Sequence, residues 1–453
     1  MTLRMCSVWW PVLLVACTGG AWAAEPNTQV PAGSRHYAAS GFPDRIVASP
    51  AQDAAHGFAV MWRTDADVNR PGLELVVAGD SPDMGAPRVL HADTIVLDSE
   101  NGRSRHHRVD VDGLQPDTLY AYRVQGRDTW GPWIQFRTAA SAGTPLTLLY
   151  FGDTQNKNLS LVSRVVRQAW RSTPDARLAL FAGDLVSGKD GVDDSEWGEW
   201  FEAGRWLLQG TAVAPAPGNH EYHEEDEDTP QARRVLGGHW RASFALPRNG
   251  PADAAGTSYW FDYQDVRVAV LDGTSALDLG TGPAQAAWLD AVLSANPHPW
   301  SIVLIHQPFY SPRAERDNEK LVQQVLPVIR RHKVDLVLQG HDHTYGRRGD
   351  GDDTSTPVFI VSVAGPKQYR LSDYARTTMK PVGEDTQLYQ VLRIDPQRLV
   401  YESRTATGRL YDAFELVREG GSKRLVEREA GRIAPRDCAR PVSPKGREDR
   451  CWE

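Results

Sequence analysis

Side chains that can bind metal ions recur directly after short apolar runs of this sequence. Each run has the length of a buried strand, and the polar residues come where that strand would end. The carboxyl ends of strands in an open α/β sheet line one crevice where ligands bind, so we expect these side chains to converge. In chain order, they are Asp153, Gln155, Asp184, Asn219, His220, His306, His341 and His343.

The residue types indicate which ions such a site would bind. Carboxylate, amide and imidazole groups together suit Zn, Mn or Fe, because Ca and Mg favour shells made of oxygen alone. The set is too large for one tetrahedral ion and suits a pair, in which one carboxylate bridges ions about 3.5–4 Å apart and holds a hydroxide between them. Glycines precede Asp153, Asp184, Asn219 and His341, where they allow a sharp turn and a close approach of the backbone to the metals.

Each of these residues has a simpler explanation when it is taken alone. An aspartate after a strand is often a helix cap, which applies to Asp153 and Asp184. Asn219 fits a turn, and His306 at the end of an apolar run fits a hydrogen-bonded core histidine. The ordered recurrence of these motifs in similar strand contexts favours one shared site over separate structural roles.

The first part of the chain, residues 41–140, has the pattern of a small all-β sandwich. Short apolar runs without helical spacing alternate with turns rich in Gly, Pro, Asp and Asn. The predicted strands include Phe58–Trp62, Leu73–Ala78, Arg105–Val111 and Thr118–Val124.

The pattern changes near Pro145, after which apolar runs alternate with stretches of helical spacing until about Val417. This alternation predicts an α/β domain over residues 145–417, with a parallel or mixed sheet covered on both faces. Trp197, Trp200 and Trp206 fall in a predicted helix, where we expect core packing and no stacking on a carbohydrate. A final group of apolar runs predicts consecutive antiparallel strands.

Composition restricts the class of partner. The chain has 453 residues with 41% hydrophobic and 24% charged residues, which is typical of a folded globular protein. Its formal net charge of -8 argues against nucleic acid as a structural partner, because such proteins usually present a basic face. A phosphate-bearing substrate remains compatible, since bound metal cations can supply positive charge locally.

The first 23 residues have the layout of a secretory signal peptide. Arg4 precedes the apolar stretch Val8–Ala16, which is too short to span a bilayer. Ala21–Ala23 fits a cleavage site, whereas Leu14–Cys17 fits a bacterial lipoprotein box that would place a lipid anchor on Cys17. Either reading predicts export, to the periplasm, the medium or a membrane surface, and no later stretch predicts a transmembrane segment.

Export gives meaning to the two cysteines of the body of the protein. An oxidising compartment favours a disulfide between Cys438 and Cys451 in a polar tail, residues 418–453. We expect this bond to fix a poorly packed chain end, and we favour that role over a redox or metal-binding one. Residues 24–40 are polar and are predicted to be a linker.

The motifs resemble those of a known family. The ordered set resembles the calcineurin-like metallophosphoesterases, and with the sandwich in front it resembles their purple acid phosphatase branch. The motifs are Gly152–Asp153, Gly183–Asp184, Gly218–Glu221, Val303–His306 and Gly340–His343. The resemblance implies an αββα sandwich with a two-metal site, preceded by a fibronectin type III-like sandwich.

Roles at the site follow from the same resemblance. Asp153 and His343 would bind the first ion, and Asp184 would bridge both ions. His220 would contact the phosphoryl oxygen or protonate the leaving group. The residues implied for the second ion are Asn219, His306 and His341, of which Asn219 would also contact substrate.

The small domain resembles fibronectin type III domains in its segment Leu114–Tyr122. The resemblance implies that Tyr120 ties its hydroxyl to a loop backbone and that Trp62 is the core indole between the sheets.

Two positions depart from the purple acid phosphatase pattern. Ser187 stands where those proteins have an iron-binding tyrosine, so we predict a colourless protein. Gln155 stands where they have glycine or histidine; its side-chain carbonyl could bind the first ion, or it could be a loop residue.

We therefore predict an exported hydrolase that acts on small-molecule phosphate esters, with a metal-bridging hydroxide as its nucleophile and Asp184 and His220 as catalytic residues. Phosphomonoesterase activity is the first choice, and phosphodiesterase or nucleotide hydrolase activity is the alternative. A hypothesis of another class is a surface binding protein with a structural metal site.

Overall fold

The fold is taken from a computed structural model. It describes residues 26–31, 33–187, 192–229, 231–314, 316–349, 357–419 and 422–452. The predicted signal peptide, residues 1–23, and its alternative lipidation site Cys17 lie outside these residues.

The N-terminal part is a sandwich of two four-stranded sheets, ordered β1-β2-β6-β5 and β4-β3-β7-β8. All the pairings within these sheets are antiparallel. The strands are β1 Asp44–Pro50, β2 Phe58–Asp65, β3 Gly72–Val77, β4 Arg88–His91, β5 Asp93–Ser99, β6 Gly102–Val111, β7 Leu119–Val124 and β8 Ile134–Arg137.

Two aromatic residues hold this sandwich as the fibronectin resemblance implies. The Tyr120 hydroxyl accepts a hydrogen bond from the backbone N–H of Gln115 at 3.0 Å, at the corner before β7. Trp62 is 1% exposed, and its indole N–H donates to the carbonyl of Gln125 at 3.1 Å. A buried indole needs such a partner, because an unpaired N–H in an apolar core is costly.

The rest of the chain forms two seven-stranded sheets, ordered β11-β10-β9-β22-β23-β24-β25 and β14-β15-β16-β17-β19-β18-β21, and two small pairs, β12-β13 and β20-β26. The strands are β9 Leu146–Phe151, β10 Leu178–Phe181, β11 Ala212–Pro215, β12 Tyr222–Glu225, β13 Arg233–Leu236, β14 Tyr259–Tyr263, β15 Val266–Leu271, β16 Trp300–Ile305, β17 Leu336–Gln339, β18 Tyr345–Arg348, β19 Val358–Val361, β20 Gln368–Tyr369, β21 Val382–Gly383, β22 Leu388–Ile394, β23 Arg398–Thr405, β24 Leu410–Glu419, β25 Ser422–Glu427 and β26 Arg450–Trp452.

The described part of the chain also contains α-helices, of which residues 238–243 pack against strands β2, β5 and β6 of the sandwich. They are α1 Ser163–Ser172, α2 Asp194–Gly210, α3 Gly238–Ser243, α4 Gly273–Asp278, α5 Gly282–Ser294, α6 Glu319–Gln324, α7 Leu326–Arg331 and α8 Asp373–Thr378. Within the described part of the chain, none of the helices combines the length and the apolar character that a membrane span requires.

The strand β16 shows why the layers are ordered α–β–β–α. Its alternate residues Ile302 and Leu304 belong to the core between the two sheets. Val303 and Ile305 belong to a second core, beneath α5 and α7. Because successive side chains of a strand point to opposite faces, a continuous apolar run indicates a sheet that is buried on both sides.

Both ends of the described chain pack on the α/β domain. The predicted linker lies beside α2, where the backbone N–H of Val30 donates to Glu199 at 3.2 Å and the Tyr37 hydroxyl donates to Glu202 at 2.8 Å. At the other end, Cys438 and Cys451 form a disulfide, as predicted.

One tryptophan is not where the sequence places it. Trp197 and Trp200 are buried in the core, as expected, but Trp206 is 60% exposed. The backbone leaves the helical conformation at Arg205, with φ 18° and ψ -96°, so the face predicted for Trp206 does not continue to that residue.

Candidate metal centre

The parallel strands of the two sheets deliver the predicted ligands to one place. β9, β10 and β11 run parallel in one sheet, and β16 and β17 run parallel in the other. Asp153, Asp184 and Asn219 come shortly after the first three strands, whereas His306 and His341 follow the other two. The carboxyl ends of both parallel sets therefore face a shared crevice.

Two groups of buried ligand atoms meet there. In each group the ligand atoms lie within 4.8 Å of one another. One group consists of Asp153, Asp184 and His343, and the other of Asp184, His306 and His341. Asp184 is common to both groups, which is the arrangement that a carboxylate bridging two ions requires.

The first group leaves buried polar atoms unsatisfied. Asp153 Oδ1 lies 3.4 Å from His343 Nε2. Among the described residues, Asp153 Oδ1 and Gln155 Oε1 have no hydrogen-bond partner although both are buried. Unpaired buried oxygens are costly, and a cation beside Asp153 Oδ1 would satisfy that oxygen.

Gln155 lies inside this group. Its Nε2 atom donates to Asp184 Oδ2 at 2.7 Å and lies 3.1 Å from His343 Nε2. A rotation of the amide group by about 180° would exchange its nitrogen and its oxygen, and the oxygen is a suitable metal ligand. The side chain therefore reaches the position that its predicted role requires.

The second group is crowded around one imidazole nitrogen. His306 Nε2 lies 3.2 Å from Asp184 Oδ2, 3.3 Å from Asn219 Oδ1 and 3.0 Å from His341 Nδ1. These atoms are mostly hydrogen-bond acceptors, and one imidazole proton cannot serve all of them. A metal cation with several open positions suits the same atoms.

Backbone carbonyls fix the orientation of two imidazoles. His306 Nδ1 is 2.7 Å from the carbonyl oxygen of Ala182, and His343 Nδ1 is 3.0 Å from that of Lys367. Each Nδ1 therefore carries a proton, and each Nε2 faces the crevice as the atom available to a metal ion. This is the usual way in which proteins prepare a histidine for metal binding.

Three residues of the site have a left-handed backbone conformation. Asp184, His341 and His343 have φ values of 47°, 74° and 48°. Residues other than glycine occupy this left-handed region at a cost, and they do so most often at functional sites. A Cβ atom on Gly218 would lie 2.2 Å from Asp184 Oδ1, so only glycine permits this close approach of the backbone to the carboxylate.

The electrostatics favour positive charge in the crevice. Burial raises the pKa of Asp153 to about 7. Burial opposes the ionisation of His306, yet the carboxylates of Asp184 and Asp153 raise its pKa to about 9. Burial also disfavours the charged form of Asp184, but His306 and His220 hold its pKa well below the usual range. The carboxylates thus attract a cation even into a dry environment.

His220 lies at the edge of the crevice and outside both ligand groups. Its backbone N–H donates to Asp184 Oδ1 at 2.9 Å, and the residue is half-buried. This position suits contact with a substrate group that enters from solvent.

Sequence reasoning assigned no role to Glu221. Its carboxylate is fully buried and accepts hydrogen bonds from the backbone N–H groups of Gly218, Asp184 and Leu185 at 2.6, 3.0 and 2.8 Å. Burial raises its pKa to about 7. The sequence signal that could have identified Glu221 is its place directly after Asn219 and His220 in a metal-ligand motif. The fold buries this acidic residue.

Ser187 points away from the crevice. Its hydroxyl donates to Glu196 on α2 at 2.9 Å and accepts from Asn156 Nδ2 at 2.8 Å. The serine therefore belongs to a hydrogen-bond network beside the site.

Comparisons with known proteins agree with this geometry. Residues 146–345 match the calcineurin-like phosphoesterases, and residues 43–138 match the N-terminal domain of purple acid phosphatases. The chain therefore carries a calcineurin-like phosphoesterase domain, preceded by a domain that matches the N-terminal domain of the purple acid phosphatases.

Individual relatives are distant. An uncharacterized protein of Mycobacterium tuberculosis is 29% identical over 345 residues, which cover 68% of this chain and 63% of that protein. The Fe(3+)-Zn(2+) purple acid phosphatase 12 of Arabidopsis thaliana is 26% identical over 259 residues, covering 53% of this chain and 52% of the relative. The chain thus spans less than two thirds of the length of these relatives.

A solved structure shares the fold. The purple acid phosphatase PPD1 of yellow lupin, Lupinus luteus, has a TM-score of 0.69 at 18% identity, and the match covers 84% of this chain and 75% of the lupin chain.

Proposed function

We propose that this protein is an exported two-metal hydrolase of phosphate esters, with phosphomonoesters as its preferred substrates. The observation that supports the proposal most directly is the position of Asp184 in two groups of ligand atoms at once, inside a calcineurin-like phosphoesterase domain. The acid phosphatase name of the Arabidopsis relative supports the choice of monoesters.

The ligand assignment follows the two groups. Asp153, Gln155 and His343 would hold the first ion, and Asp184 would hold both. The remaining residues, Asn219, His306 and His341, would hold the second ion. Fe, Zn and Mn all suit such donors, and the named Fe–Zn pair of the Arabidopsis relative supports a mixed centre.

When bound, the two ions would supply positive charge to the phosphoryl group and activate a water molecule as the nucleophile. The residues of this chain have complementary tasks. Asp184 and Asp153 balance the charge of the cations, and Asn219 and His220 contact the phosphoryl oxygens. His220, at the open edge of the crevice, would give a proton to the leaving alkoxide.

The proposed export is supported by the disulfide between Cys438 and Cys451. Disulfides persist in oxidising compartments and are rare in the cytosol.

Replacing Asp184 by Asn tests the proposal. The amide lacks the charge and the second anionic oxygen that a bridging ligand needs, so we expect hydrolysis of a chromogenic aryl phosphate monoester to fall by at least about a hundredfold. Purified protein is assayed with a monoester and a diester after chelation and after reloading with Mn, Zn or Fe. Asp290→Asn, at the exposed surface beside Arg331, is the matched control.

Two outcomes would contradict the proposal. Substantial turnover by Asp184→Asn with a full complement of metal would refute the bridging role. Inactivity of the reloaded wild-type protein towards both esters would favour the binding-protein hypothesis.

A further inference from the structure

One loop, residues 365–371, supports the part of the centre assigned to the first ion. The backbone N–H of Gly365 donates to the carbonyl of Asp153 at 2.6 Å. The carbonyl of Lys367 accepts from His343 Nδ1 at 3.0 Å, and the N–H of Tyr369 donates to the carbonyl of His343 at 3.2 Å. We call residues 365–371 the support loop.

An aromatic contact adds to these hydrogen bonds. The ring of Tyr369 meets the imidazole of His343 edge-on, with centroids 5.3 Å apart and planes at 90°. His343 is therefore held at its Nδ1 atom, at its backbone carbonyl and at its ring by the same short segment.

The support loop is in turn held by the end of the chain. Its strand β20 pairs with β26, with Gln368 opposite Trp452 and Tyr369 opposite Arg450. β20 has two residues and β26 has three, so the pair is too short to be stable without other constraints.

The disulfide supplies such a constraint. Cys451 lies in β26, and its bond to Cys438 closes the tail into a loop. Glu384 then ties this loop to the support loop, because its carboxylate accepts from the N–H of Leu371 at 2.7 Å and from the N–H of Cys438 at 2.8 Å. Covalent and hydrogen-bonded links thus run from the tail to His343.

We propose that the disulfide-closed tail, residues 438–452, is a positioning element of the metal centre that retains the first ion. The tail holds the support loop, and the support loop holds His343 and the backbone of Asp153. The residues of the second ion, His306 and His341, receive no such support from it. This inference rests on the proposed pair of metal ions.

The first test measures retention of the ions directly. Zinc-loaded wild-type protein and a Cys438→Ser/Cys451→Ser variant are mixed with excess chromogenic chelator, and release of each ion is followed in time. Loss of an outer partner of a metal ligand typically weakens binding by about 10–100-fold. We therefore expect one ion to leave the variant at least about tenfold faster and the other to leave at the wild-type rate.

Serine is preferred to chemical reduction for a specific reason. Cys438, Cys451 and Glu384 form a group of three ligand atoms, so free thiols there could capture zinc and obscure the result. Val442→Ser, which changes an exposed residue of the same tail, is the control and should release both ions as the wild type does.

A second pair of variants keeps the disulfide intact. Tyr369→Ala removes the ring against His343 and should also speed release of one ion, whereas Tyr369→Phe keeps the ring and should restore retention. If the cysteine variant fails to fold, these two Tyr369 variants still test whether the support loop retains the first ion. Release of both ions at wild-type rates from the folded cysteine variant would overturn the inference, and so would such release from Tyr369→Ala. Wild-type protein that binds fewer than two zinc ions would instead contradict the proposed function.

Discussion

Glu221 is outside the predicted ligand set, yet its hydrogen bonds position Asp184, the residue that would bridge both ions. Its carboxylate gathers backbone N–H groups from Asp184, from Leu185 and from Gly218, which lie in two separate segments. These bonds fix the left-handed turn of Asp184 against the loop that carries Asn219. The orientation of the bridging carboxylate therefore depends on a buried carboxyl group that contacts no ion itself.

Replacing Glu221 by Gln should disturb this turn. One amide oxygen accepts fewer hydrogen bonds than a carboxylate, and the amide NH2 group would face backbone N–H groups that also donate. We expect zinc affinity to fall by about 10–100-fold and kcat to fall with little change in KM. Titration with a competing chelator and steady-state kinetics measure these effects. Glu224→Gln, an exposed neighbour on β12, is the control, and equal behaviour of the two variants would contradict the role of Glu221.

At the scale of single residues, the sequence could predict which candidate ligands converge but not their surroundings. The ligands follow recognisable strands, so their convergence follows from the rule that strand ends share an edge. Glu221 could not be assigned because its partners are backbone groups of distant segments. The direction of Ser187 depends on Glu196 and Asn156, which no local pattern connects to it.

At the scale of elements, periodicity predicted the strands that carry the site. The continuous apolar runs became β9, β10, β16 and β17, because a strand covered on both faces must be apolar on both. The short pairings escaped prediction, since β20 and β26 have too few residues to show a period. Trp206 could not be placed from the sequence either. The sequence pattern extends the buried helical face to Trp206, but the backbone leaves the helical conformation at Arg205.

The first residue of α2 joins this helix to the sandwich. Asp194 is buried, and its carboxylate lies 2.6 Å from Arg45 on β1 and 3.3 Å from Arg63 on β2. Burial opposes its ionisation, but Arg45 and His239 hold the pKa of Asp194 well below the usual range. The ion pair therefore stabilises the fold at neutral pH, and this contribution is lost as the pH falls below the pKa of an aspartate in the unfolded chain.

Asp194→Asn should leave the buried guanidinium group of Arg45 without its counter-ion, whereas Arg63 keeps its pair with Asp44. Removing one partner of a buried pair costs about 3–5 kcal/mol, so we expect the free energy of unfolding to fall by this amount. Urea denaturation at neutral pH measures it. Asp290→Asn, which removes the partner of Arg331 and His332 at the surface, should leave the free energy of unfolding nearly unchanged. Comparable losses in the two variants would contradict the account of Asp194.

At the scale of the whole molecule, both ends of the described chain pack on the α/β domain. The segment before the sandwich reaches α2, and Asn27 within it accepts from the backbone N–H of Lys157 at 3.0 Å, two residues after Gln155. At the other end, Trp452 lies 5.5 Å from the ammonium group of the same Lys157. Composition predicted a linker before the sandwich and a polar tail at the other end. Polar segments have no apolar period, so the contacts of these two segments with the α/β domain could not be predicted from the sequence.

The central claim is that two ions share Asp184 in one buried crevice. Anomalous diffraction from crystals of the zinc-loaded protein tests it most directly. We expect two anomalous peaks about 3.5–4 Å apart, with one oxygen or both oxygens of Asp184 between them. A single peak, or a pair of peaks of which Asp184 touches only one, would contradict it.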